Sequence, residues 1–262
     1  MIDAVLSWLT SYWTFAGVLA GFAVLEWLFP WQRKALEPLR WLHAFVLSVL
    51  GMLASIVILP VSSAGAALIA KENGWGLFNG VEVPSLLAIV TGVLLLDFTQ
   101  WTCHWAMHRY PFFWRIHRVH HSDETVDVTT SFRFHPVEAL IRATVQMAVV
   151  VLAGLPVMAI VIKTVLNMFF DIWEHANIQT PRPLKALSVV FVTPDQHRIH
   201  HDENIARQTS NLGTIFSIWD RLFGSLKNDD PAVTGIVFGL GKDNTLPFRT
   251  LANLLIDPFR KG

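Results

Sequence analysis

Apolar residues run almost unbroken from about Val5 to Phe29, enough to cross a bilayer, which takes about 20 helical residues. A basic connection follows, with Arg33, Lys34 and Arg40, and a second apolar run extends roughly from Leu42 to Ala70. The connection Lys71–Pro84 sets one lysine against Glu72 and Glu82 and carries turn-forming Asn-Gly pairs. A third apolar run starts near Leu86 and does not stop at a membrane edge. It continues as Asp97, Trp101, His104 and His108, spaced so that one helical face carries all four.

A polar, arginine-rich stretch covers Arg109–Arg133. After His135-Pro136 a fourth apolar block runs from Val137 to about Trp173, broken by Gly154-Leu155-Pro156. As one helix, about 37 residues would rise about 55 Å, too far for one crossing. Each piece, about 17 residues, is short for an upright span. The pattern therefore predicts a tight helical hairpin that enters and leaves on the same side. From Ala176 onward the chain is mixed and mostly polar, with an amphipathic patch at Leu246–Phe259 expected to lie at the interface. Nothing reads as a linker or repeat, so residues 1–262 are expected to form one membrane-embedded domain. The fold class is an all-α integral membrane protein: three spans plus a helical hairpin, with a histidine-rich helical cap.

Lysine and arginine placement orients this arrangement. The Arg33–Arg40 connection and the Arg109–Arg133 stretch are basic and Lys71–Pro84 is not, so the positive-inside rule puts the N-terminus outside and the histidines in the cytoplasm. A bacterial inner membrane is the expected location. Composition agrees: 53% of residues are hydrophobic and 15% charged, whereas soluble domains are nearer a quarter charged. Eleven tryptophans suit a bilayer interface. Zero net charge argues against a nucleic-acid partner. With Cys103 the single cysteine, no disulfide framework and no cysteine-built zinc or iron–sulfur site can form within the chain. The first apolar run lacks a basic leader and a small-residue cleavage signal, so it is expected to be a retained span.

Three clusters carry the chemistry: His104-Trp-Ala-Met-His108, His117-Arg-Val-His120-His121 and His197-Arg-Ile-His200-His201, with His135 and His175 between them. Histidines four apart on a helix project from one face and can chelate. The adjacent pair in each H-x-x-H-H diverges by about 100°, which is awkward for one ion and natural for two. Eight imidazoles exceed what one metal can hold, so a dinuclear site is inferred. All-nitrogen ligation suits iron, zinc, copper or nickel and argues against magnesium or calcium; it differs from the Glu and Glu-x-x-His ligands of soluble di-iron bundles. His43 stands alone and reads as a structural residue.

Carboxylates near the clusters (Asp123, Asp171, Glu174, Asp195 and Asp202) are candidates to accept the second ring N–H of a ligand. Asp97 and Asp171 lie at or within apolar helices, where an unpaired carboxylate is costly. Lys163, Asn167, Asp171 and Glu174/His175 form a polar stripe on one face of the second hairpin piece. That stripe is expected to face a cavity, with Asn167 and Lys163 as candidate substrate contacts. Arg109, Arg118 and Arg198 are placed to meet headgroup or redox-partner anions, or simply to solvate the interface.

Taken in order, H-x3-H, H-x2-H-H, the Phe134-His135-Pro136-x-Glu138 block, His175-x-Asn177 and Thr193-Pro-x-x-His-Arg-x-His-His resemble the fatty acid hydroxylase/sterol desaturase superfamily. The tail from Asn211-Leu-Gly to Trp219-Asp220-Arg221-Leu222-Phe223-Gly224 is similar too. The resemblance covers about residues 97–225. It implies that His104, His108, His117, His120, His121, His197, His200 and His201 are metal ligands, with His175 as a ninth. Some fatty acyl hydroxylases of the superfamily show a second H-x3-H where this chain has His175 and Gln179. Asn177 or water is then a possible filler, and His135 a possible further ligand. Length and the His-Pro-x-Glu form look closest to bacterial lipid hydroxylases of the alkylglycerol monooxygenase and ornithine-lipid type.

The expected function is hydroxylation of a lipid C–H bond by O2 at two iron ions, with zinc possible in isolated protein; desaturation on the same site is the alternative. No dinucleotide fingerprint or haem-attachment motif is present, so electrons must come from a redox partner or a diffusible reductant. Two readings from other classes differ in what they demand. A metal transporter needs its ligands near the bilayer midplane, and a zinc hydrolase needs three protein ligands and an open place.

Overall fold

The first apolar run forms helix α1, Tyr12–Leu28, in a computed structural model that describes residues 12–228, 235–241 and 250–260. Residues 5–11 of that run lie outside the described residues. Helix α2 spans Pro38–Ile58, with proline in its first turn, where a missing N–H costs nothing. The second apolar run does not continue as one helix to Ala70. Pro60 can neither donate to nor fit within a continuing helix, so α2 stops. A new helix, α3 at Ser63–Glu72, starts under Ser62, whose hydroxyl accepts from the Gly65 N–H at 3.1 Å. Helix α4, Ser85–Arg109, is continuous through the first two histidines, and α5, Pro111–His121, follows after Tyr110.

Helices α6 (Pro136–Ala153) and α7 (Val157–His175) flank the expected break. Gly154 adopts φ 70°, the left-handed conformation that closes a helix without a Cβ penalty. The expectation that both pieces are too short to cross fails for α6, which by length and composition can span a membrane. Two other candidates are the stretch Pro38–Gly80 and Ser85–Arg109. Within the described residues α1 is a shorter apolar helix. These three candidate spans make the chain a membrane protein, all helical apart from isolated bridges among its described residues.

Helix α2 lies along α6, while α4 packs on α5, α6 and α7, and α3 leans on both α6 and α7. Small residues permit the close crossings: a Cβ on Gly92 of α4 would stand 2.7 Å from the Ala159 Cβ of α7. At one end of the bundle a Cβ on Gly76 would run into the Gly154 backbone, so the 71–84 connection and the 154–156 turn meet there. At the other end α6 begins and α7 finishes beside α5. Outward-facing apolar side chains such as Trp27, Val57, Leu86 and Leu152 are largely exposed, as a lipid-facing surface requires.

A cap closes the histidine end. It contains α8 (Pro194–His200), α9 (Ile218–Phe223) and α10 (Leu251–Ile256). Of the amphipathic patch Leu246–Phe259, residues 246–249 lie outside the described residues. The rest turns Leu254 inward against Leu47 and Val119, leaving Ile256 and Phe259 exposed.

Candidate metal centre

Nine histidine rings meet where α4, α5, α7 and α8 converge. Their nitrogens form two groups, each with its atoms within 4.8 Å of one another. One holds His104, His108, His117, His121 and His200; the other holds His120, His175, His197 and His201. The adjacent pairs are divided between them. On α5 the outer histidines His117 and His121 join the first group and His120 the second. At α8 the sense reverses: His197 and His201 join the second group and His200 the first. Adjacent residues on a helix point about 100° apart, so each H-x-x-H-H must serve both groups.

Hydrogen bonds outside the cluster set the rings. The Nδ1 of His104 donates to the Leu212 carbonyl at 2.8 Å, that of His200 to Ser210 at 2.9 Å, and that of His175 to Asp171 at 2.7 Å. His117 Nδ1 donates to the Glu138 carboxylate at 3.0 Å. Each of these rings then turns its Nε2 lone pair inward. The Nε2 atoms of His104, His108, His117 and His200 are buried with no hydrogen-bond partner. In the second group Nε2 of His175 lies 3.2 Å from that of His120 and 3.0 Å from that of His197, and His201 stands 3.1 Å from His197. These short spacings bring the four rings of the second group to a common point. Nitrogens about 2.1 Å from one ion and at right angles to each other stand about 3.0 Å apart. The donor set fits imidazole-binding transition metals.

Burial also keeps the rings neutral. It pushes the pKa values of His120, His121, His197 and His201 well below the usual imidazole range, with neighbouring rings adding to the effect. His200 is pushed down to about 3, by burial first and His117 second. Neutral imidazole is the species that binds metal.

The other marked residues divide by their contacts. Asp171 uses its backbone carbonyl, not its carboxylate, to hold His175, and the Glu174 carboxylate stands 3.7 Å from His197 Nδ1. Asp97 is away from the rings, accepting from the Trp219 indole at 2.8 Å and the Phe216 N–H. Asp123 pairs with Arg40 at 2.6 Å, Asp195 with Arg198 at 2.6 Å and Asp202 with Arg207 at 2.7 Å. Asn177 pins the end of α1 by bonding both backbone groups of Gln32. His135 accepts from the Val137 N–H and donates to the Leu255 carbonyl, leaving no ring nitrogen for a metal. Arg198 is buried on the Ala176 carbonyl and the Trp31 ring, Arg118 pairs with Asp257, and Arg109 is exposed. His43 lies half-buried on α2, outside both groups.

Two cavities lie near the rings. One of 370 Å³ between α4, α6 and α7 is lined by Lys163, Asn167 and Asp171 among others. The second, 420 Å³, opens on His108 with Trp114, Arg118 and Gln208.

Two important side chains received no role from sequence reasoning. Glu138 holds His117 and is held by Arg142 at 2.7 Å; a lone acid in the first turn of an apolar helix was the signal. Asp220 accepts from the N–H groups of Leu212 and Gly213, from the Trp101 indole and from the Ser225 hydroxyl. It thereby shapes the loop whose carbonyl sets His104. Backbone carbonyls carry no side-chain signal at all.

Comparison with known proteins fits this geometry. The chain is 28% identical over 145 residues to an ornithine lipid hydroxylase of Rhizobium tropici, covering 55% of this chain and 43% of that protein. It is 30% identical over 172 residues to the alkylglycerol monooxygenase of Caenorhabditis elegans, covering 61% and 32%. With the Danio rerio alkylglycerol monooxygenase it shares 26% identity over 231 residues, 87% of this chain and 49% of that one. The chain thus spans half or less of the length of these relatives. No solved structure matches it. The family model for fatty acid hydroxylases matches residues 89–225, more than half of the chain and every one of the nine clustered histidines, so this protein belongs to the fatty acid hydroxylase family.

Proposed function

We propose that this protein is a membrane oxygenase that hydroxylates a C–H bond of a lipid at two iron ions. His104, His108, His117, His121 and His200 would hold one ion, and His120, His175, His197 and His201 the other. The observation that carries this reading is the division of both adjacent histidine pairs between two nitrogen groups. Iron supplies the redox capacity that O2 chemistry needs, whereas zinc, which the same imidazoles accept, has none. The chain's own residues orient the rings through Glu138, Asp171, Ser210 and Leu212, keep them neutral by burial, and exclude bulk water.

Relatives named for ornithine lipids, alkylglycerols and methylsterols support a lipid substrate and favour hydroxylation over desaturation. The whole chain works as one membrane-embedded unit in this reading, with α6 and α7 entering and returning to the same side. The histidine cap faces the cytoplasm, as basic residues near Arg33–Arg40 and Arg109–Arg133 favour. Lys163 and Asn167 belong to the substrate side, and reductant from a partner or diffusible donor approaches through the cavity at His108.

Lipid mass spectrometry of cells with and without the protein tests the reaction. The expected result is a lipid heavier by one oxygen. A product lighter by two hydrogens would make the protein a desaturase, and equal turnover by zinc- and iron-loaded protein would overturn the oxidative mechanism.

A further inference from the structure

The 370 Å³ cavity between α4, α6 and α7 lies within the apolar bundle, yet charged and amide side chains line it. No histidine lines it, but residues of its wall contact members of both histidine groups or the side chains that hold them. Phe134 on its wall stacks on His120 with ring centroids 4.4 Å apart. Arg142 on the same wall pairs with Glu138, which holds His117, while the backbone of Asp171 holds His175.

Two groups in this wall have unused hydrogen-bonding capacity. Lys163 donates to the Asn167 amide oxygen at 2.9 Å and to the Gln100 amide oxygen, and its ammonium carries a third proton. Asp171 lies across α7 one turn beyond Asn167. Its carboxylate accepts no hydrogen bond among the described residues. The nearest donor, His175 Nδ1, stands 3.6 Å from Oδ1 and gives its proton to the backbone carbonyl instead. A hydrocarbon tail drawn into this space would strip water from an ammonium and a carboxylate without replacing it, which is strongly unfavourable. A polar group that offers both an acceptor and a donor satisfies the two together.

Resting on the oxygenase reading above, we propose that this cavity receives the polar end of the lipid, and that the oxidised carbon lies in or next to the headgroup. The headgroup carries a hydrogen-bond acceptor for Lys163 and a hydroxyl or amine donor for Asp171. Unsubstituted acyl chains lack that pair of groups at the reacting end.

The test uses iron-loaded full-length protein in vesicles made from the host's total lipid extract, with a chemical reductant and O2, and maps the inserted oxygen by tandem mass spectrometry. Oxygen on the headgroup or on the first carbons attached to it is the expected result. Oxygen deep in an acyl chain would overturn this inference and leave the oxygenase reading standing; no oxygenated lipid at all would bring down both. Lys163→Met should raise KM about tenfold, the loss of one charged hydrogen bond, with iron content unchanged. Asp171→Asn keeps shape and backbone and should shift KM more than kcat, so the role is readable even where Lys163→Met folds poorly. Unchanged KM in folded, iron-replete Asp171→Asn protein would count against the assignment.

Discussion

His117 Nδ1 lies 3.0 Å from Glu138 Oε1, and both side chains are wholly buried. The pair joins α5 to the first turn of α6, and Arg142, one turn further along α6, closes on the same carboxylate at 2.7 Å. A buried carboxylate with two partners fixes the imidazole tautomer and makes its other nitrogen a better donor.

If His117 holds a metal as proposed, Glu138 would set metal affinity without touching it. Glu138→Ala should lower iron affinity or turnover by about 10- to 100-fold, the range for a lost ligand-orienting partner. Glu138→Gln keeps an acceptor for His117 and should lose less. Iron content and turnover measured side by side check both; wild-type values in Glu138→Ala would show that the contact only packs.

The unequal groups, five rings and four, predict an asymmetry in metal binding. Wild-type protein should hold two ions per chain. His175→Ala leaves three imidazoles in its group and should lose about one ion, while the five-ring group keeps its own. Elemental analysis after dialysis reads the stoichiometry, and two tightly held ions in His175→Ala would contradict the division of ligands.

Acid should destabilise the metal-free protein. His200 is pushed down to about 3 by burial and by His117, whereas an imidazole in the unfolded chain titrates near about 6.5. Above about 6.5 neither state binds the proton and stability is full. As pH falls from there toward about 3, the unfolded chain takes up protons that the folded chain refuses, so stability drops. Melting of chelator-treated protein between pH 8 and 5 should show this decline, and replacing His200 by Gln should make it shallower. A flat profile would count against buried neutral rings.

At the α4–α7 crossing a Cβ on Gly92 would stand 2.7 Å from the Ala159 Cβ. Gly92→Ala should cost about 1–3 kcal/mol by overpacking, and it should also lower metal content, because α4 carries His104 and His108 while α7 carries His175. Adding Ala159→Gly removes the clashing methyl and should restore both. Thermal melts and iron content of the single and double variants decide it; no rescue would mean that the contact is not the cause.

Spacing within single helices was legible in the sequence. His104 with His108 and the outer members of each H-x-x-H-H share a helical face by the geometry of the α-helix alone, and Gly154-Leu155-Pro156 breaks a helix for local steric reasons. The lipid-facing character of the apolar runs is likewise a matter of composition and length. Helix ends were read less well. Pro60 ends α2 well before Ala70, and α6 has the length of a crossing helix although its apolar run looked short.

Relations between helices belong to the tertiary structure. Which rings share a group depends on how α5 and α8 face each other across α4 and α7. A 100° divergence predicts that His120 parts from His121 but not which partner each one meets. Glu138 and the Ser210 and Leu212 carbonyls orient clustered histidines 10 to 108 residues away along the chain, and Asp220 shapes the Leu212 loop. His135 and Asn177, adjacent in sequence to the histidine motifs, are turned to capping and pinning the backbone. Local periodicity specifies the direction in which a side chain leaves its own helix. Which atoms it meets is decided by packing among helices, because burial leaves each polar group to find its partner wherever the fold brings one.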